Sequence, residues 1–176
     1  MKRLFLVIVV TLVSLGTVFA QEKRANRWEV GVGYAFQLGG SDGGVNMINN
    51  QSIPAYLEWR HLAGEHWDIG ARLDTDYGLA KQDKYKGLVV FAGLLGVVDF
   101  NFLPGKKVNP FIGFCAGPGL GSINVGYSYV QFLFNAGPRV GLEIVDHVRI
   151  SAGFEVSLPR FDPLFMPAYL TLGWTF

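Results

Sequence analysis

The residues of this chain that could do chemistry are spaced singly along apolar stretches. Glu29, Glu58, Arg60, Asp68, Arg72, Asp99, Arg139, Glu143, Arg149 and Glu155 alternate with Val, Leu, Ile, Phe and Trp. Acids and bases nearly balance, and such a set supports ion pairing, with guanidinium forks gripping carboxylates through both oxygens. Other chemistries lack their parts. The histidines, His61, His66 and His147, all fall in expected turns at one end, where they would cap strand ends. Ser128 and Ser157 have no histidine at their own end to activate them, so no catalytic residue is expected. Cys115 is the lone cysteine, without a disulfide partner or the neighbours a metal site needs, and reads as an apolar filler. Gly117-Pro118-Gly119-Leu120-Gly121 resembles a phosphate cradle in composition only, because no helix follows it. No cofactor and no metal are implied. A formal net charge of +1 excludes the basic patch that a nucleic-acid partner requires.

The elements that must position these side chains follow from hydropathy. Lys2 and Arg3 precede an uncharged apolar run, and Val18-Phe19-Ala20 supplies small residues for cleavage, so Met1 to Ala20 is expected to be a secretory signal of the Sec type. One domain is expected over 21–176. Beyond the signal no uncharged apolar segment reaches the length of a membrane-spanning helix, the longest, Gly87 to Val98, ending at Asp99. Period-two alternation dominates instead. Trp28, Val30, Val32, Tyr34 and Phe36 oppose Glu29, Gly31, Gly33, Ala35 and Gln37. The pattern recurs over Ile53–Arg60 and Trp67–Asp74, in strand four from about Leu88 to Phe102, and in strand five over Asn109–Gly117. It continues over Phe132–Glu143, Val148–Val156 and Ala168–Phe176. The pattern leaves the register of strands four and five open by one residue.

Short connections at Leu62–Glu65, Leu103–Val108 and Val145–His147 alternate with longer ones at Leu38–Ser52, Gly78–Gly87, Pro118–Tyr129 and Pro159–Met166. That asymmetry predicts an all-β, eight-stranded, antiparallel up-and-down transmembrane β-barrel, with tight periplasmic turns and external loops. A soluble barrel shares the alternation, so the polar face must decide between them. Here the polar face is rich in Gly31, Gly33, Gly70, Gly137, Gly141, Gly153 and Gly173 and poor in lysine, which suits a narrow lumen better than a solvated exterior. Charged residues make up only 16% of the chain and aromatics 14%. Trp28, Trp59, Trp67, Phe102 and Trp174 lie near strand ends, as an interfacial belt requires.

Asn109-Pro110-Phe111-Ile112-Gly113, the run Ala136-Gly137-Pro138-Arg139-Val140-Gly141-Leu142-Glu143 and the ending Gly173-Trp174-Thr175-Phe176 resemble the small outer-membrane β-barrel domain family. The resemblance covers Arg27 to Phe176. It implies an integral protein of a Gram-negative outer membrane, surrounded by outer-membrane lipids and expected to be a monomer. Leu170, Leu172, Trp174 and Phe176 fit the family's terminal signal for the barrel-assembly machinery. No segment follows Phe176 that could bind peptidoglycan, so a cell-wall tether of the kind found in larger relatives is not expected.

The charged residues of the polar face are then expected to form an Arg/carboxylate network filling the lower lumen, because buried charges are tolerable only when paired. The function expected is a non-enzymatic structural or surface-interaction scaffold that meets an extracellular ligand through its external loops. A small pore or transporter whose selectivity is set by the same charges is the alternative, and a lipid A-modifying enzyme is the third.

Overall fold

The computed structural model describes residues 26–38, 46–82, 84–126, 128–159 and 166–176; the expected signal, Met1 to Ala20, lies outside the described residues. Its elements are β1 (Asn26–Gln37), β2 (Asn46–Leu62), β3 (Trp67–Gln82), β4 (Tyr85–Asn101), β5 (Val108–Asn124), β6 (Ser128–Ile144), β7 (Val148–Phe154), β8 (Val156–Pro159) and β9 (Pro167–Thr175). All pairings are antiparallel, and β9 on β1 closes the ring. β7 and β8 form a single stave: Gly153 lies opposite Arg139 and Val156 opposite Ala136, so the register runs through Glu155 without a shift. Eight staves therefore make the closed barrel.

The two faces of every stave follow the period-two pattern, and they are inside out relative to a soluble protein. Leu73, Leu94, Leu170 and Leu172 are each more than half exposed, whereas Arg60, Arg72, Arg139 and Arg149 are at most 2% exposed. Apolar exposure on this scale, carried around all the staves, far exceeds the few hundred Å² of a soluble surface patch and fits a wall solvated by lipid. In β4 and β5 the register left open by the sequence places Asp99 opposite Gly113 with Asp99 inward. The apolar first half of β4 also contributes to the interior, since Leu95 and Val97 pack with Cys115 inside the barrel.

The external connections differ from the expectation. Gly78–Gly87 is not a loop but a ladder closing at Gln82 opposite Tyr85, and Pro118–Tyr129 is mostly a ladder closing at Asn124 opposite Ser128. β2 begins at Asn46, so Leu38–Ser52 is shorter than expected as well, and part of it, with residues 160–165, lies outside the described residues. Strands of 16 and 17 residues exceed the roughly 9–11 that cross a bilayer. The glycines of β5 were the misleading signal. Gly117, Gly119 and Gly121 are buried inward positions, and a Cβ on Gly119 would stand 2.8 Å from Asn135 Nδ2. They make room for side chains across the lumen rather than for a turn.

At the short-turn end, His147 N–H donates to the Ile144 carbonyl at 3.2 Å, and the central residues Val145 and Asp146 take φ values of 53° and 58°. The ladder closes at Ile144 opposite Val148, so these residues lie in a three-residue connection, and a β-branched residue is ill suited to a positive φ.

Candidate functional site

The site is the lumen, and its charged floor joins neighbouring strands as well as strands far apart in the sheet. Arg139 of β6 lies between Glu58 of β2 and Asp99 of β4. Its Nη1 and Nη2 donate to Glu58 Oε2 and Oε1 at 2.5 and 2.9 Å, and its Nε and Nη2 donate to Asp99 Oδ1 and Oδ2 at 2.8 and 2.7 Å. Both carboxylates are gripped through both oxygens, a geometry that a planar guanidinium permits and an ammonium does not. Arg60 donates to Glu29 at 2.6 Å and divides its Nη1 between Asp68 and Glu143, at 3.2 and 3.1 Å. Arg149 donates to Asp99 Oδ2 at 2.5 Å.

Aromatic rings seat the arginines that the carboxylates do not fully hold. Arg149 lies 3.6 Å from the centroid of Phe111, and Arg72 lies 3.9 Å from that of Tyr56. These rings lie flat because the residue directly opposite each is glycine: Tyr56 faces Gly31 and Phe111 faces Gly141. A Cβ on Gly31 would sit 2.3 Å from Tyr56 Cζ. Tyr56 also donates its hydroxyl to Glu29 Oε1 at 2.5 Å.

Of the residues singled out in the sequence, Glu29, Glu58, Arg60, Asp68, Arg72, Asp99, Arg139, Glu143 and Arg149 meet within ion-pair distance in this set. Glu155 does not; among the described residues it forms no ion pair, and it accepts one weak bond from the Cys115 thiol, 3.6 Å from Sγ to Oε1. Sequence reasoning passed over Arg27, which enters from the short-turn rim to pair with Asp68 at 3.1 Å and with Glu143. Its parity with Glu29 was the available signal. Asn101 and Asn109 were also missed; Asn109 Nδ2 donates to Asn101 Oδ1 at 2.8 Å, and Asn101 Nδ2 to Asp68 Oδ2 at 3.1 Å.

The three histidines sit on the lower rim against aromatic rings. His66 stacks on Phe100 with centroids 5.4 Å apart, His147 on Trp174 at 5.6 Å, and His61 on Trp59 at 6.4 Å. Each ring's Nδ1 is engaged, with Asn101 O, Thr175 O and Asn26 Oδ1 respectively. Trp67 and Phe102 meet the same Phe100 edge-on, forming part of the aromatic belt at this end.

No family model matches the chain, and no curated protein matches it. Solved structures do. Ail, the attachment invasion locus protein of Yersinia pestis, solved with the heparin analogue sucrose octasulfate, superposes with a TM-score of 0.57 at 14% identity over 87% of this chain and 100% of that one. Neisserial surface protein A gives 0.60 at 10% identity, over 88% and 98% of the two chains. The N-terminal β-barrel domain of Pseudomonas aeruginosa OprF gives 0.53 at 12%, over 87% and 98%. The fold is that of the small outer-membrane barrels. At these identities the likeness carries the wall and its topology, and the lumen must be read from this chain's own residues.

Proposed function

We propose that the chain is an integral outer-membrane protein, exported by the Sec route, whose lumen is a structural plug and whose external hairpins carry a non-enzymatic, surface-interaction role. The grip of Arg139 on both Glu58 and Asp99 is the observation that supports the plug. These three groups span the lumen, are at most 2% exposed and leave little room for a hydrated ion. Planar-bilayer recording of the folded protein tests it. A silent bilayer is expected for the parent, and steady channels whose selectivity follows substitution of Arg139 or Arg72 would overturn the plug in favour of a pore.

The external surface offers one chemical pointer to a partner. Lys81 and Lys86 stand directly opposite one another across β3 and β4, with Lys84 in the turn between them. Opposed like charges weaken a strand pair unless an anion bridges them, and Ail, of the same fold, was solved with a heparin analogue. The reading that follows is an anionic extracellular partner, such as a sulfated polysaccharide, docking on this hairpin. Lys81→Glu with Lys86→Glu should abolish retention on immobilised heparin at moderate salt; unchanged retention would reject the hairpin as the docking site. Leu170, Leu172 and Trp174 alternate on the lipid-facing side of β9, and Phe176 follows its end in the same parity, consistent with a signal read by the barrel-assembly machinery.

A further inference from the structure

Above the ion-paired floor lies a cavity of about 40 Å³ whose walls include Arg72, Asp74, Asp76, Asn135, Glu155 and Tyr169. Three carboxylates share it with one guanidinium. Arg72 is engaged by Asp74 at 3.1 Å, and among the described residues neither Asp76 nor Glu155 has a cation within ion-pair distance. Asp76 Oδ2 accepts from Ser52 Oγ at 2.8 Å, while its Oδ1 is buried without a partner. Glu155, 6% exposed, has, among the described residues, the thiol contact described above and no ion pair.

Neutral oxygens around the same space are also unsatisfied. Asn135 and Tyr169 are each 7% exposed and line the cavity, yet Asn135 Oδ1 and Tyr169 Oη have no hydrogen-bond partner. A buried polar atom left in this state costs about 1–3 kcal/mol. Asp76 Oδ1, Asn135 Oδ1 and Tyr169 Oη line one small space beside two carboxylates that lack a counter-charge; the orphaned donor there, Arg72 Nε, belongs to a guanidinium already engaged by Asp74. The volume limits what would complete them. At roughly 10–15 Å³ for each water-sized sphere, the cavity has room for an ion with a water or two.

We propose that the upper lumen binds a single divalent hard cation, of the calcium or magnesium class, through the carboxylates of Asp76 and Glu155 and the side-chain oxygens of Asn135 and Tyr169. All-oxygen donor sets of mixed carboxylate, carbonyl and water ligands are the chemistry such ions prefer. Among the described residues no three Asp, Glu, His or Cys side chains cluster closely enough to hold a metal by themselves, so the neutral oxygens and water complete the shell. The formal charge of the cup, three carboxylates against Arg72, is matched by one divalent ion. Such an ion would close the barrel from the external side, as Arg139 closes it below.

The test uses the barrel purified from membranes in an uncharged detergent and stripped with chelator. Calcium, magnesium and sodium are titrated by calorimetry, with thermal unfolding in parallel. One divalent ion per barrel and a raised unfolding temperature are expected, with no effect of sodium at matched ionic strength. Asp76→Asn and Glu155→Gln should each weaken binding about tenfold and together abolish it, while Asn135→Asp, which adds a ligand charge, should tighten it about tenfold. The last variant gains affinity, so its result does not depend on a loss that misfolding could mimic. Absence of saturable binding, binding untouched by these substitutions, or an equal response to sodium would overturn the proposal.

Discussion

The lower and upper halves of the lumen are built from the same residue types and differ in how they are paired. Below, the described carboxylates Glu29, Glu58, Asp68, Asp99 and Glu143 each meet at least one guanidinium, and Arg139 holds two of them in forks. Above, Asp76 and Glu155 have no such partner, and neutral oxygens beside them are idle. The difference teaches where the barrel's rigidity is invested. Removing two charges from water is offset only by close geometry and further hydrogen bonds. The floor pairs each of these carboxylates from within the chain, although Arg60 Nε and Arg149 Nε and Nη1 are left without a hydrogen bond, whereas Asp76 and Glu155 in the cup are left without a cation.

The comparison breaks most sharply at Arg139. Arg139→Met should take the forks from Glu58 and Asp99, leaving Asp99 to Arg149 alone, and destabilise the barrel by about 3–5 kcal/mol, read as a lowered urea midpoint in detergent or liposomes; an unchanged midpoint would mean that the floor is not held by this network. Next in size is Gly31→Val, which drives a side chain into Tyr56 and so unseats Arg72; a loss of about 1–3 kcal/mol is expected from overpacking, and Tyr56→Ala in the same background should recover part of it. At the turn between β6 and β7, Val145→Gly should stabilise by about 1 kcal/mol, because it relieves a β-branched residue at positive φ. Smallest of all is Glu155→Gln in chelator, where a shift under about 1 kcal/mol is expected, since no guanidinium is left unpaired. Should Glu155→Gln cost as much as Glu58→Gln, the two halves would be alike and the contrast would fail.

Much of the wall was legible before any coordinates. The alternation of Trp28, Val30, Val32 and Tyr34 with Glu29, Gly31 and Gly33 sorts lipid-facing from lumen-facing residues, because the side-chain period of a strand is two whatever surrounds it. The scarcity of lysine on the polar face pointed inward for the same residues. The ends of the strands were less legible. Gly117 to Gly121 and Gly78 to Gly87 carry turn composition, yet they form ladder, since outside the bilayer a hairpin still satisfies its backbone best by pairing.

The pairing within the lumen was the least accessible part. Parity says that Arg139, Glu58 and Asp99 face inward, and it says the same of Glu155. That the first three meet while Glu155 stays apart depends on stagger between strands distant in the sheet. The seating of Arg72 and Arg149 on rings likewise depends on which glycine stands opposite Tyr56 and Phe111. By itself the sequence determined the faces of the strands other than β4 and β5, the chemistry of each face and the short turns, because these are local properties of spacing and side-chain type. Only the tertiary structure decided which charges are satisfied, because closing the barrel brings together residues of β2, β4 and β6 whose separation along the chain says nothing about their distance across the lumen.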